Sequence, residues 1–230
     1  MAEPITPTTI VFPIYPGVTH LDFTGPHQFL ARLPGATLVV ASVGGAPVAA
    51  DGLVFAELAA LEGIARCDVL CVPGGTGCTD AMQDAVYMAA IKRLAGSARY
   101  VTSVCTGSLI LGAAGLLRGK RATCHWAWRD LLVLFGAEPD PGRVVRDGNV
   151  LTGGGVTAGI DFALTLVTEL AGPTVAQSIQ LGLEYAPAPP FDAGTPETAP
   201  AEVLALVRAR MAPGMPARRA AVERVAAALR

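Results

Sequence analysis

No apolar run in the 230-residue chain approaches the roughly 20 residues needed to cross a bilayer. No basic segment leading into an apolar stretch opens it either, so the expectation is a soluble, cytoplasmic protein with no membrane partner. Lysine and arginine number 17 against 19 acids, a net charge of -2. Nowhere do basic residues form a stripe or interleave with aromatics, so the electrostatic footprint of a nucleic-acid binder is missing. Arg218, Arg219 and Arg224 read as a solvated helix face. The five cysteines are an odd number, and Cys67 and Cys71 are spaced too widely for a CxxC pair. Neither a disulfide framework nor a zinc knuckle is indicated, and a reducing compartment fits.

What the chain has in abundance is apolar residues, 52% of the total, enough to bury the core of one large α/β domain or two small ones. β-rich stretches at Thr8–Tyr15, Thr37–Val43 and Asp68–Pro73 alternate with helical patterns, one of them running from about Asp80 to Leu94. Gly52 to Glu57 lies in a hairpin-like stretch, and Asp147-Gly148 sits between two short strands as a strong hairpin signal. A long apolar helix is expected after Gly153, Gly154 and Gly155. No repeat interrupts this alternation, which predicts a flavodoxin-like, doubly wound, mostly parallel sheet sandwiched by helices. From Tyr185 the chain is too rich in proline for a regular element before two final helical patterns. Residues 1–184 are therefore read as the α/β domain, and 185–230 as an extension packed on that domain or on a dimer partner.

The stretch Tyr100 to Gly115 organises the rest. A β-branched run ends at Cys105 and a small-residue helix begins at once, which projects the thiol from the carboxyl edge of a sheet like a nucleophile elbow. Thr106, Gly107 and Ser108 relieve the crowding and offer free amides at a helix start, where an anion is favoured. A helix terminus contributes about 0.3–2 kcal/mol, whereas a mostly ionised thiol at pH 7 needs roughly 3 kcal/mol. A further donor to the sulfur is therefore expected. Asp22 stands at the entry of the first helix, past the end of the first strand, where it serves as an N-cap or as a catalytic acid. Gly74, Gly75, Thr76 and Gly77 follow a strand but lack the Lys-Ser/Thr pair of a phosphate loop. Their better use is close approach, with the Gly74 and Gly75 amides facing the sulfur. His125 invites a Cys-His dyad, but a histidine beside tryptophans is more often packed than basic. Cys67 and Cys71 read as core, and Cys78 as a loop residue without assigned chemistry.

SVCTGS at the elbow, VPGG before it, RGKRATCHW after it and LDFTGP near the start resemble the ThiJ/PfpI branch of the glutamine amidotransferase-like superfamily. Within that branch, RYVTSVCTGSL, AAGLLRGKRAT, RVVRDGN, GGGVTAGIDFALTL and LEYAPAPPFD are most similar to the isonitrile hydratases. The resemblance implies that Cys105 is the nucleophile, Asp22 its acidic partner and Thr106 an adjacent catalytic residue. Gly75 and His125 are then candidates for binding substrate or a polarised intermediate. It implies a homodimer acting on a small-molecule isonitrile, with neither metal nor cofactor. Departures are a slightly extended amino terminus, Cys78 in the glycine loop and Cys124 in place of a threonine. Two alternatives stay open: a glyoxalase or deglycase-like enzyme acting on α-oxoaldehydes, and a ligand-sensing regulatory module. No helix-turn-helix-sized domain accompanies the second. No late His-x-Glu pair supports an amidotransferase triad, and no histidine follows the nucleophile as in the related peptidases.

Overall fold

The computed structural model describes residues 7–229; the extended amino terminus lies outside them. The chain begins with β1 (Thr8–Pro13), α1 (Leu21–Leu30) and β2 (Ala36–Ser42). A hairpin of β3 (Val48–Ala50) and β4 (Leu53–Phe55) and the short β5 (Ala59–Ala60) lead to β6 (Val69–Val72). Next come α2 (Cys78–Ala81), α3 (Ala85–Ser97), β7 (Tyr100–Val104) and α4 (Gly107–Ala113). β8 (Arg121–Ala122), a 3-10 helix over Arg129–Phe135 and β9 (Glu138–Pro139) precede the hairpin β10 (Val144–Asp147) and β11 (Val150–Gly153). The helices α5 (Ala158–Ala171), α6 (Pro173–Gly182), α7 (Ala201–Met211) and α8 (Met215–Ala227) complete the chain.

One seven-stranded sheet runs β10-β11-β7-β6-β1-β2-β5, parallel throughout except for the β10 edge. Its central strands β6 and β7 are buried along their whole length. That explains why they read as continuous apolar or β-branched runs rather than alternating ones. From β1 the chain steps one way to β2 and the other way to β6 and β7. Right-handed crossovers in opposite directions put α1 and α3 on opposite faces. The same reversal opens a crevice beyond the carboxyl ends of β1 and β6, the usual ligand position in such sheets.

One expected helix differs. The run after the glycine loop is broken: α2 ends at Ala81, and Asp84 caps a new helix by accepting the amides of Val86 at 2.8 Å and Tyr87 at 3.0 Å. An aspartate outcompetes helix continuation when its carboxylate can satisfy two free amides. Arg129–Phe135 forms a 3-10 helix ended by Gly136 in the left-handed conformation. At the carboxyl end, α8 packs against α4 and the 3-10 helix, with Val222 fully buried. α7 buries none of its residues. No described helix is long and apolar enough to cross a membrane.

Candidate active site

Cys105 follows β7 directly and has φ +57°, in the left-handed region where an ordinary side chain is strained. Its amide is held by the carbonyls of Gly154 at 2.8 Å and Gly153 at 3.0 Å, so the end of β11 pins the strained residue. Helix α4 starts two residues later and is buried over all seven of its positions. A Cβ at Gly107 would sit 2.2 Å from the Val72 carbonyl. Only glycine lets the turn press against the end of β6. The elbow is thus strained and over-determined, as a stored functional conformation requires.

Asp22 is the second residue of α1 and is completely buried. It does not cap its helix: the capping position belongs to His20, which contributes no side-chain hydrogen bond. Instead Asp22 Oδ2 accepts the Gly74 amide at 2.9 Å, across 52 residues of sequence. Oδ1 has no partner, the one such buried side-chain oxygen or nitrogen among the described residues. A Cβ on Gly74 would fall 2.4 Å from the Thr106 amide nitrogen and 2.8 Å from Asp22 Oδ2. Asp22, Gly74 and Thr106 therefore close on one another with no space between them.

The glycine amides do not face the sulfur as expected. Gly74 gives its proton to Asp22, and Gly75 gives its own to Thr106 Oγ1 at 2.9 Å. The Thr106 hydroxyl in turn donates to the Gly75 carbonyl at 3.2 Å. Gly75 and Thr106 form a mutual clasp, and neither the Gly75 amide nor the hydroxyl is free for a polarised intermediate. The backbone amide of Thr106 is the donor that interacts favourably with the sulfur.

The electrostatics also differ from a simple thiolate site. Burial pushes the Cys105 thiol well above its ordinary range, and the nearby charges of Asp22 and Cys124 push it further; the Thr106 amide opposes them. Burial lifts the Asp22 carboxyl from its ordinary 3.8 to about 7, with the Gly74 amide and the Cys105 thiol pulling it back. The short α4 cannot offset the desolvation of a cysteine that is 5% exposed. Thiol and carboxyl are coupled neighbours, each shifting the other's hold on its proton. Oδ2 is occupied, so Oδ1 is the oxygen left to take a proton, and a proton there turns an orphan acceptor into a donor.

His125 is half-buried, its Nδ1 accepting the Ala127 amide at 3.3 Å, and burial lowers its pKa. It lines a cavity of about 280 Å³ together with Cys124, Trp126, Arg129 and Gly154. It is a neutral wall residue rather than the base of a dyad. Sequence reasoning missed two supports. Ser108 Oγ donates to the Thr123 carbonyl at 2.6 Å and lies 2.8 Å from Ser103 Oγ, which ties α4 to the segment carrying Cys124. Arg129 was also missed, since no local pattern separates a pocket arginine from a surface one. Among the described residues no group of ligands is arranged to hold a metal ion.

The model of the DJ-1/PfpI family matches residues 8–169. The chain belongs to the DJ-1/PfpI family. Within it, the chain is similar to an isonitrile hydratase from Pseudomonas putida, 53% identical over 96% of this chain and 97% of that one. It is similar to a glutathione-independent glyoxalase of Caenorhabditis elegans at 30% identity, over 49% of this chain and 60% of that one. A crystal structure of a ThiJ/PfpI family protein from Pseudomonas syringae superposes with a TM-score of 0.91. It is 42% identical and covers 96% of this chain and 91% of that one. The likeness to both Pseudomonas proteins thus extends well past the family's matched region.

Proposed function

We propose that this DJ-1/PfpI protein is an isonitrile hydratase, converting R-N≡C and water into an N-substituted formamide. The observation that carries the reading is the buried Cys105–Asp22 pair, whose carboxyl has one oxygen fixed by Gly74 and the other unpartnered. The terminal carbon of an isonitrile must receive a nucleophile and a proton on the same atom. A thiol and a carboxyl that are coupled neighbours supply both from one side. The near full-length likeness to a hydratase favours this reading over a glyoxalase, whose likeness covers about half of the chain.

In the proposed cycle the Cys105 proton passes to Asp22, and the sulfur forms a bond to the isonitrile carbon as Asp22 protonates that carbon. The product is a thioimidate, Cys-S-CH=N-R. Asp22, now ionised, takes a proton from a water whose oxygen adds to the same carbon, and passes that proton to the nitrogen to give Cys-S-CH(OH)-NH-R. Collapse breaks the carbon–sulfur bond, the hydroxyl proton passes to the departing sulfur through Asp22, and R-NH-CHO leaves with the Cys105 thiol and the Asp22 carboxylate restored. The cycle consumes one water and uses no redox change. Thr106 serves through its amide on the sulfur, and its hydroxyl, clasped to Gly75, fixes the loop that holds Asp22. The same reading takes the enzyme as a cytoplasmic homodimer, with 185–230 as its carboxyl-terminal extension.

Cyclohexyl isocyanide and methylglyoxal, each incubated with the purified chain, decide the matter. Stoichiometric N-cyclohexylformamide with no methylglyoxal loss is the expected result. Methylglyoxal turnover without formamide would replace the reading with the glyoxalase one.

A further inference from the structure

A cavity near the elbow holds a cation that no carboxylate neutralises among the described residues. Two arginines line the space of about 280 Å³: Arg143, which is paired with Asp161 at 2.6 Å and bonded to Thr157, and Arg129. Arg129 is half-buried and forms no ion pair or side-chain hydrogen bond among the described residues. Glu197, the acid at the rim, is exposed and pairs with neither arginine. A partly desolvated guanidinium without a carboxylate is the arrangement a protein uses to receive one, because its planar fork matches the two oxygens.

The cavity is walled in part by a residue hydrogen-bonded to Cys105. Its wall includes Cys124 and Gly154, whose carbonyl holds the Cys105 amide at 2.8 Å. The rings of His125 and Trp126, with centroids 5.5 Å apart, form an aromatic side, and Thr195 of the proline-rich segment lies across it. The volume suits a small substituent rather than a long chain.

We infer that this cavity receives the substituent of the isonitrile and that Arg129 anchors a carboxylate on it, which makes the preferred substrate a small isonitrile acid. This rests on the hydratase reading for the isonitrile end of the molecule. The carboxylate end rests on Arg129 alone.

The test compares isocyanoacetate with its neutral methyl ester, and measures binding of unreactive N-formylglycine by calorimetry. The wild-type enzyme should favour the acid over the ester in kcat/KM by about tenfold or more, an advantage that shrinks as salt is raised. Arg129→Gln should lower the acid-to-ester ratio at least about tenfold and weaken N-formylglycine by a similar factor, with Arg129→Lys in between. An ester preferred by the wild type, or a ratio unmoved by Arg129→Gln, overturns the inference while leaving the hydratase reading intact. If neither isonitrile is hydrated but N-formylglycine binds through Arg129, the anion pocket stands and the hydratase reading falls. Absence of both turnover and binding ends both.

Discussion

The chain keeps two neighbouring regions under opposite rules. Around Asp22, Gly74 and Thr106 the packing leaves no room for one added carbon, and among the described residues a single buried side-chain oxygen, Asp22 Oδ1, has no partner. Nearby, the cavity walled by His125, Trp126 and Arg129 is open and holds a guanidinium with no ion pair among the described residues. The difference teaches that reaction and recognition are separable here. The sealed region fixes what happens to a proton and a carbon whatever the substrate, and the open region decides which substituent is carried there.

The largest effect belongs to the sealed side. Cys105→Ala removes the nucleophile and should lower kcat by about 10⁴-fold or more for every isonitrile tested. Wild-type enzyme quenched during turnover should show Cys105 carrying the mass of one isonitrile. A variant that kept its rate would erase the distinction between the two regions.

Asp22 gives the next largest effect, and its sign follows from its raised pKa. The folded chain holds the Asp22 proton up to about pH 7, whereas an unfolded aspartate loses it near 3.8. Stability from this group is therefore present below about pH 4 and falls as pH rises towards and through 7, by about 4 kcal/mol in all. Asp22→Asn cannot ionise and should escape that loss. Urea unfolding at pH 4.5 and pH 8 should show the wild type weakening against the variant by about 3 kcal/mol, the rest of the loss lying below pH 4.5. Activity runs the other way: below pH 7 thiol and carboxyl are both protonated and no base receives the sulfur proton. The wild-type kcat/KM should climb through about pH 7 and then level off, and Asp22→Asn should be nearly inactive throughout. Equal pH dependence of stability in the two proteins would show that Asp22 is not a sealed acid.

Gly74→Ala probes the packing itself. Its Cβ would have to lie 2.7 Å from Thr106 Oγ1 and 2.4 Å from the Thr106 nitrogen, so Asp22 and the elbow must move apart. A shift of about 1 Å at a reacting group costs about 100-fold in kcat. Binding of N-formylglycine, which depends on the open region, should change far less.

The sequence made the sheet and the elbow legible because their signals are local. Buried parallel strands are continuous apolar runs, and the step from Tyr100–Val104 into small residues can only be a sharp turn. Asp22 and Cys105 could be placed on one sheet edge for the same reason. What stayed hidden depends on contacts between distant residues. Whether the Gly74 and Gly75 amides face the sulfur or hold Asp22 and Thr106 is decided by angstrom-scale loop geometry. The Cys105 ionisation was misjudged because the helix start is visible in sequence while the desolvation of the sulfur is not. Asp84 was legible as a capping residue but was read through, since the apolar period continues across it.

His125 carries the smallest expected effect and tests the boundary between the regions most finely. Its ring lies on the cavity wall, and its Nδ1 is engaged by the Ala127 amide at 3.3 Å. Burial keeps it neutral at pH 7, so it brings neither a charge nor a free Nδ1 to the sulfur. His125→Gln should therefore change kcat by less than about tenfold, against the 10²–10⁴-fold typical of a general base. Any loss should appear mainly in KM and vary with the substituent on the isonitrile, because a wall acts on what it touches. The pH profile should keep its rise near 7, since Asp22 sets it. A profile displaced by His125→Gln, with kcat reduced alike for all substrates, would move this histidine from the open region into the sealed one.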